Sequence, residues 1–278
     1  MPFFIGSRGR IHHEAWLPDG GDVERVVVLL HGYGEHLGLY DALARRLVAD
    51  GSAVHALDAV GHGRSDGERA VLDWDVYADD ARQLANLVHD RYPGRPVVLV
   101  GHSAGGLAAY LLALRSPGIA DALVLSGAPL LRQEWVEAEL ADPQDEEVSF
   151  ADPSEFLSTQ PEYVHALLHD PLTWHGGFRP ETLQALIRVW PEAAAGLAQG
   201  LPELPVLFVH GEDDQVVQVA DARSGAALLP QARIVTFAGD LHDVLNEHDR
   251  YVVHESVAAF VKASTGPVAA PLQGRVPV

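Results

Sequence analysis

Short apolar, β-branched runs recur along this chain and alternate with longer segments of helical periodicity. The runs at 25–31, 53–58, 96–101 and 122–126 are apolar almost throughout, as strands buried on both faces require. Between them, 40–49, 74–92 and 103–115 carry apolar positions at helical spacing and predict helices. The alternation resumes with a strand at 206–210, a helix at 220–229, a strand at 233–237 and a helix at 248–263. Ahead of it, the extended stretches 3–5 and 11–16, with a glycine-containing turn between them, read as an edge hairpin. Strands separated by helices demand crossover connections, hence a mostly parallel sheet covered on both faces. The predicted fold class is α/β, doubly wound.

The interval 129–201 breaks this alternation and is far longer than an ordinary connection of about 2–6 residues, so it reads as an inserted cap. The expected organisation is a core of residues 1–128 and 202–264, the cap at 129–201, and a frayed tail at 265–278 rich in Pro, Gly and small residues. The start of the cap, 134–155, carries Glu134, Glu137, Glu139, Asp142, Asp145, Glu146, Glu147, Asp152 and Glu155 and no basic residue. Such a segment is expected to be solvated and mobile, as a lid or as a plain acidic loop. The rest is more ordered: a short helix is predicted at Pro161–His169 and a longer one from Pro180, with Leu183, Leu186, Ile187 and Trp190 on one face. Three of the five tryptophans, Trp135, Trp174 and Trp190, fall in the cap. An apolar stripe above a site can pack the cap and line a ligand cavity, which makes Leu183, Ile187, Trp190 and Trp174 the candidate substrate contacts.

Composition narrows the partners. At 278 residues the chain can bury a full core, and its formal net charge of -20 repels nucleic acid and anionic membrane alike. Without cysteine there is no disulfide, zinc thiolate or cysteine nucleophile. The first ten residues do not read as a secretory signal and no apolar run approaches membrane-spanning length, so a cytoplasmic location without an integral membrane segment is expected.

The chemistry concentrates at Gly101-His102-Ser103-Ala104-Gly105, a G-x-S-x-G sequence between a predicted buried strand and a predicted helix. In that setting the small residues let the chain reverse so tightly that the serine stands strained and exposed above the sheet edge. A serine hydroxyl needs a base and a group to orient that base, expected in the order Ser, Asp or Glu, His. The strand at 206–210 runs into Gly211-Glu212-Asp213-Asp214, and the strand at 233–237 into Gly239-Asp240-Leu241-His242, each at a strand end facing the same crevice. Sequence alone leaves Asp213 and Asp214 open. His31, His36, His62 and His102 are rivals to His242, and Asp58 a rival acid, but none of the four histidines follows the acid in the chain. An oxyanion needs two fixed donors; the expected ones are the amide of Ala104 at the helix start and that of Tyr33 in the loop His31-Gly32-Tyr33-Gly34.

Together, His31-Gly32-Tyr33-Gly34-Glu35-His36, Asp58-Ala59-Val60-Gly61-His62-Gly63-Arg64-Ser65, Gly101-His102-Ser103-Ala104-Gly105-Gly106, Gly211-Glu212-Asp213-Asp214 and His242-Asp243-Val244-Leu245-Asn246-Glu247 resemble the monoacylglycerol lipase and lysophospholipase-type serine hydrolases of the α/β-hydrolase fold. The resemblance implies Ser103 as nucleophile, Asp214 as acid, His242 as base, the Tyr33 and Ala104 amides as oxyanion hole, and no cofactor. It implies an ester hydrolase acting on monoacylglycerol-like or other single-chain lipid esters, with transient contact to lipid aggregates. An acyltransferase or thioesterase would use the same residues, and a non-catalytic ligand-binding module the same scaffold. The chain departs from the family at Leu39, where an arginine is usual, at Ala104, where methionine is usual, and in the acidic start of the cap. Neither H-E-x-x-H nor H-x-x-E-H spacing occurs, so a metal hydrolase is disfavoured.

Overall fold

A computed structural model describes residues 2–20, 22–141 and 153–266. The chain opens with the hairpin of β1 (Phe3–Gly6) and β2 (Gly9–Trp16), then alternates β3 (Arg25–Leu30), α1 (Asp41–Ala49), β4 (Ser52–Leu57), α2 (Trp74–Arg91), β5 (Val97–His102), α3 (Ala104–Arg115) and β6 (Ala122–Ser126). Helices α4 (Glu134–Ala141), α5 (Pro161–His169) and α6 (Pro180–Ala198) follow, and β7 (Val206–Gly211), α7 (Val219–Leu228), β8 (Ala232–Phe237) and α8 (Arg250–Thr265) complete the order. The eight strands form one sheet in the order β1-β2-β4-β3-β5-β6-β7-β8. Among the described residues the β1–β2 and β2–β4 pairings are antiparallel and the other pairings are parallel, as the alternation requires.

The period of two along each central strand divides the core in two. Val26, Val28 and Leu30 of β3 join Val97 and Leu99 of β5 and Val206 and Phe208 of β7 on the face covered by α2, α3 and α6. Val27, Leu29, Val98, Val100, Leu207 and Val209 point to the other face, against Leu43 and Leu47 of α1 and Val253, Val257 and Val261 of α8. The parallel register aligns the carboxyl ends of the strands: Leu30 lies beside Gly101, His102 beside Ser126 and Gly211 beside Phe237. Loops leaving these ends therefore converge above the middle of the sheet.

The interval 129–201 contributes α4, α5 and α6 and, among the described residues, no strand. Helix α6 starts at Pro180, where a missing N–H costs nothing. It is fastened to the core by Thr182, whose Oγ accepts from the Leu72 amide at 2.9 Å and donates to the Ala70 carbonyl at 3.1 Å. Residues 134–141 differ from the solvated loop expected of the acidic segment: they form α4, with Val136 fully buried and the Trp135 indole donating to the Val216 carbonyl at 3.0 Å. A few apolar side chains with a core to rest on outweigh the acidic residues, of which Glu134 and Glu137 stay exposed. The rest of that acidic run, 142–152, and most of the tail expected at 265–278 lie outside the described residues. Among the described residues, no helix is long and apolar enough to cross a membrane.

Candidate active site

Ser103 stands between β5 and α3 with φ 47° and ψ -116°, a conformation L residues seldom adopt and one that only surrounding structure can hold. The neighbouring glycines explain how it is held. A Cβ on Gly101 would lie 2.3 Å from the Gly105 carbonyl oxygen, and one on Gly105 2.2 Å from that of Leu30, so the turn closes and α3 docks onto the sheet only without side chains there. The Ser103 amide is tied to the Ser126 carbonyl at 2.7 Å.

The loops after β7 and β8 bring two further side chains to this turn. His242 Nε2 lies 2.8 Å from Ser103 Oγ, and His242 Nδ1 lies 2.8 Å from Asp214 Oδ2. The other Asp214 oxygen accepts from the amides of Val216 and Val217 at 2.8 and 2.9 Å, and His210 Nε2 reaches Oδ2 at 3.0 Å. Asp213, by contrast, is exposed and engaged through its backbone amide with the Asp240 carbonyl at 3.0 Å, so the structure puts Asp214 against the histidine. Burial pushes the Asp214 carboxyl up, but the charge of His242 and hydrogen bonds from His210 and His242 outweigh it and hold the group well below the usual carboxylate range. Burial likewise lowers His242; the charge and hydrogen bond of Asp214 outweigh that and raise it above the ordinary imidazole value.

The rival histidines are occupied elsewhere. His31 bridges the Gly32 carbonyl at 2.6 Å and the Ala59 amide at 2.9 Å, His62 meets the Val60 carbonyl at 3.1 Å, and His36 meets Asp170 at 3.2 Å. His102 lies 3.1 Å from Ser126 Oγ. Asp58 accepts from the amides of Leu37 and Arg64 at 2.9 and 2.8 Å and meets His12 at 2.9 Å, so it shapes loops.

The loop after β3 carries Tyr33 beside Ser103, and the Ala104 amide opens α3, where the helix dipole favours negative charge. Glu35 of this loop is buried. Its Oε2 accepts from the Gly32 amide at 2.7 Å and the Tyr40 hydroxyl at 2.5 Å, and its Oε1 from the Tyr163 hydroxyl. Burial, then the nearby charge of Asp243, push this carboxyl up to about 8 against those three donors. Glu35, His102 and Asp243 are the one group among the described residues whose ligand-type atoms lie within 4.8 Å of one another. With two phenols and an amide already directed at Glu35, the cluster is hydrogen-bonded rather than shaped for a cation.

Ser103 and His242 open into a small cavity of about 50 Å³, walled by Pro153, Leu157, Leu167, Trp174, Phe178 and Val216 with Tyr33. Tyr33 stacks on Phe178 at 4.6 Å, and Phe178 packs against Trp135 at 5.1 Å. Of the four substrate contacts expected from the sequence, Trp174 lines this cavity. Leu183, Ile187 and Trp190 do not. Leu183 and Trp190 are buried in the core face shared with α2 and α3, Ile187 packs against its edge, and the Trp190 indole donates to the Pro129 carbonyl at 2.8 Å. The apolar stripe of α6 is satisfied by the core before it can reach a ligand. Phe178, Leu157 and Val216 escaped the sequence analysis because they stand in segments without periodicity.

The family model described as serine aminopeptidase, S33 matches residues 21–249. A monoacylglycerol lipase of Mycolicibacterium smegmatis is 34% identical over 93% of this chain and 95% of its own length. A monoglyceride lipase of Rattus norvegicus is 30% identical over 92% of this chain and 88% of its own. Among solved structures, a soluble variant of the Saccharomyces cerevisiae monoglyceride lipase superposes with a TM-score of 0.79 at 17% identity, covering 95% of both chains. A thermostable carboxyl esterase from Bacillus coagulans superposes with 0.79 at 19% identity, covering 95% of this chain and 98% of its own. These two structural likenesses concern the fold.

Proposed function

The chain belongs to the serine aminopeptidase, S33 family and is a carboxylic ester hydrolase of the α/β-hydrolase fold, and from that premise we propose that it cleaves monoacylglycerol-like or other single-chain esters through an acyl-enzyme. Ser103 Oγ attacks the ester carbonyl while His242 Nε2 takes its proton, and Asp214 holds the Nδ1–H and offsets the charge the imidazole acquires. The amides of Tyr33 and Ala104 receive the oxyanion. His242 then returns the proton to the departing alcohol, and water repeats the sequence on the acyl-enzyme. The observation that supports this best is the continuous Ser103–His242–Asp214 chain, 2.8 Å at each step, ending on a strained serine inside an apolar cavity.

The cavity argues for the acyl group as well. Each buried methylene contributes up to about 0.8 kcal/mol until the space is filled. At about 50 Å³ it fills early, so short or medium acyl chains are the proposed substrates. A cytoplasmic location and transient contact with lipid aggregates belong to the same proposal. The test is hydrolysis of p-nitrophenyl esters and monoacylglycerols from acetyl to palmitoyl, by the native protein and by Ser103→Ala. Turnover that peaks at short or medium chains and vanishes in the variant is expected. Full activity in Ser103→Ala would overturn the assignment of the nucleophile, and a palmitoyl optimum the reading of the cavity.

A further inference from the structure

Resting on the reading of Ser103 as nucleophile, we propose that Glu35, Tyr163 and Asp243 are positioning residues that couple the seating of helix α5 to the geometry of the oxyanion loop and of the base. Glu35 Oε2 accepts from the Gly32 amide at 2.7 Å, and the Glu35 amide returns to the Gly32 carbonyl at 3.4 Å. The carboxyl thus closes the loop on itself and sets the path of the backbone on which the Tyr33 amide lies. Its other oxygen is held by the Tyr163 hydroxyl, delivered from α5, 128 residues further along the chain. Burial first, then the charge of Asp243, push the Tyr163 hydroxyl well above its usual range, so it stays a phenol and a donor.

Asp243 extends the cluster to the base. It follows His242 directly; its Oδ2 accepts from the Asn246 amide group at 2.9 Å, while its buried Oδ1, with no close hydrogen-bond partner among the described residues, lies 3.8 Å from His102 Nδ1. The His102 ring packs against that of His242 at 4.9 Å. One buried cluster therefore touches the oxyanion loop, the residue before the nucleophile and the residue after the base, and one of its members comes from the interval 129–201. When α5 moves away, Glu35 keeps its burial but loses the Tyr163 donor on Oε1, and the carboxyl is left held only through Oε2, by the Gly32 amide and the Tyr40 hydroxyl, with a freer tilt. A shift of about 1 Å in a reacting geometry can cost on the order of 10²-fold in rate.

The experiment compares Tyr163→Phe, Glu35→Ala, Glu35→Gln and Asp243→Asn with the native enzyme. Its readouts are kcat and KM for p-nitrophenyl acetate per titrated active site, the rate of phosphonylation of Ser103 by a fluorophosphonate, the pH profile, and Tm. Tyr163→Phe and Glu35→Ala are expected to lower kcat per site and phosphonylation together, by roughly 10- to 100-fold, with KM changed little. Glu35→Gln keeps an acceptor for Gly32 and Tyr40 and is expected to stay within a few-fold of native. His242 faces Asp214 from the loop after β7, His102 from the end of β5 and Ser103 from the turn after it, Glu35 from the loop after β3, and Asp243 beside it. Removing the Asp243 charge should therefore move the acid limb of the profile to lower pH. Native kcat per site in Tyr163→Phe and Glu35→Ala would overturn the proposal, as would a loss confined to Tm and to the titratable fraction, or a Glu35→Gln as slow as Glu35→Ala. A native enzyme that is phosphonylated yet hydrolyses no ester would overturn the functional reading instead, and the phosphonylation rates would still decide this one.

Discussion

At the scale of single residues, the two adjacent acids give the sharpest contrast. Asp214 is buried with four hydrogen-bond donors around its two oxygens, whereas Asp213 is exposed. Asp214→Asn should lower kcat by roughly 10³-fold or more with the fold kept, because the amide no longer holds the charged imidazole, while Asp213→Asn should change kcat less than about 3-fold. Steady-state kinetics on the pair decides it, and a crippled Asp213→Asn would reverse the assignment. The same carboxylate governs the pH profile. His242 must be neutral to accept the serine proton, so kcat/KM rises with pH through its titration. Because Asp214 raises His242, the limb should lie above the ordinary value of about 6.5. Asp214→Asn removes the raising charge, and the residual activity should titrate at lower pH. A limb that stays in place in that variant would mean another group controls it.

Elements decide what the residues can reach. The stripe on α6 is core, and the cavity wall comes from Leu167 of α5, from the irregular segment between α5 and α6 and from loops beside it. Trp190→Ala should therefore destabilise by roughly 3–5 kcal/mol without moving the acyl-length preference. Trp174→Ala should open the wall and shift the preference toward longer chains, with acetate turnover staying within a few-fold. Measuring esters from acetyl to palmitoyl together with Tm on both variants separates the two roles; a displaced optimum in Trp190→Ala would restore α6 as a substrate wall. The same reasoning explains α4. Its acidic composition predicted a solvated loop, but Val136 and Trp135 have partners on α6, on Phe178 and on Val216 that no local pattern displays.

For the molecule as a whole, buried titratable groups set the pH range of stability. Burial lowers His31, His55 and His102 to about 4 and His62 to about 3, so the folded state keeps them neutral where the unfolded chain protonates them. Their contribution is fully present above about pH 6.5 and is lost as pH falls toward 4. Glu35, raised to about 8, and Asp240, raised to about 7, both chiefly by burial, act in the opposite sense. They stay protonated in the folded state, so their contribution is present below their unfolded values and is lost as pH rises through 7 to 8. Stability should peak near about pH 6.5, and because the histidines outnumber the two acids, Tm should fall on the acid side by on the order of 5 °C per pH unit. A thermal melt series from pH 4 to 9 checks this; a Tm flat between pH 5 and 7 would contradict it.

The parallel α/β sheet was legible in the sequence, because short runs that are apolar almost throughout, alternating with helical segments, admit few other arrangements. The sequence also placed the strained turn at Ser103, because glycines at 101 and 105 around a serine are a local instruction that the backbone obeys wherever the strand and helix meet. The order of the chemistry-bearing loops was legible too, since strand ends in a parallel sheet share one edge. The family resemblance already implied Asp214, but the residues themselves left Asp213 open beside it, because neighbouring side chains diverge and the direction of each depends on the Val216 and Val217 amides that capture one of them in the fold. The tertiary structure alone assigned the stripe of α6 to the core and the walls to Trp174, Phe178 and Val216, since a periodic pattern says that a face is buried and not against what. Glu35 and Tyr163 lie 128 residues apart, and what joins them is a buried hydrogen bond that exists only once the sheet, the loop after β3 and helix α5 have been brought together.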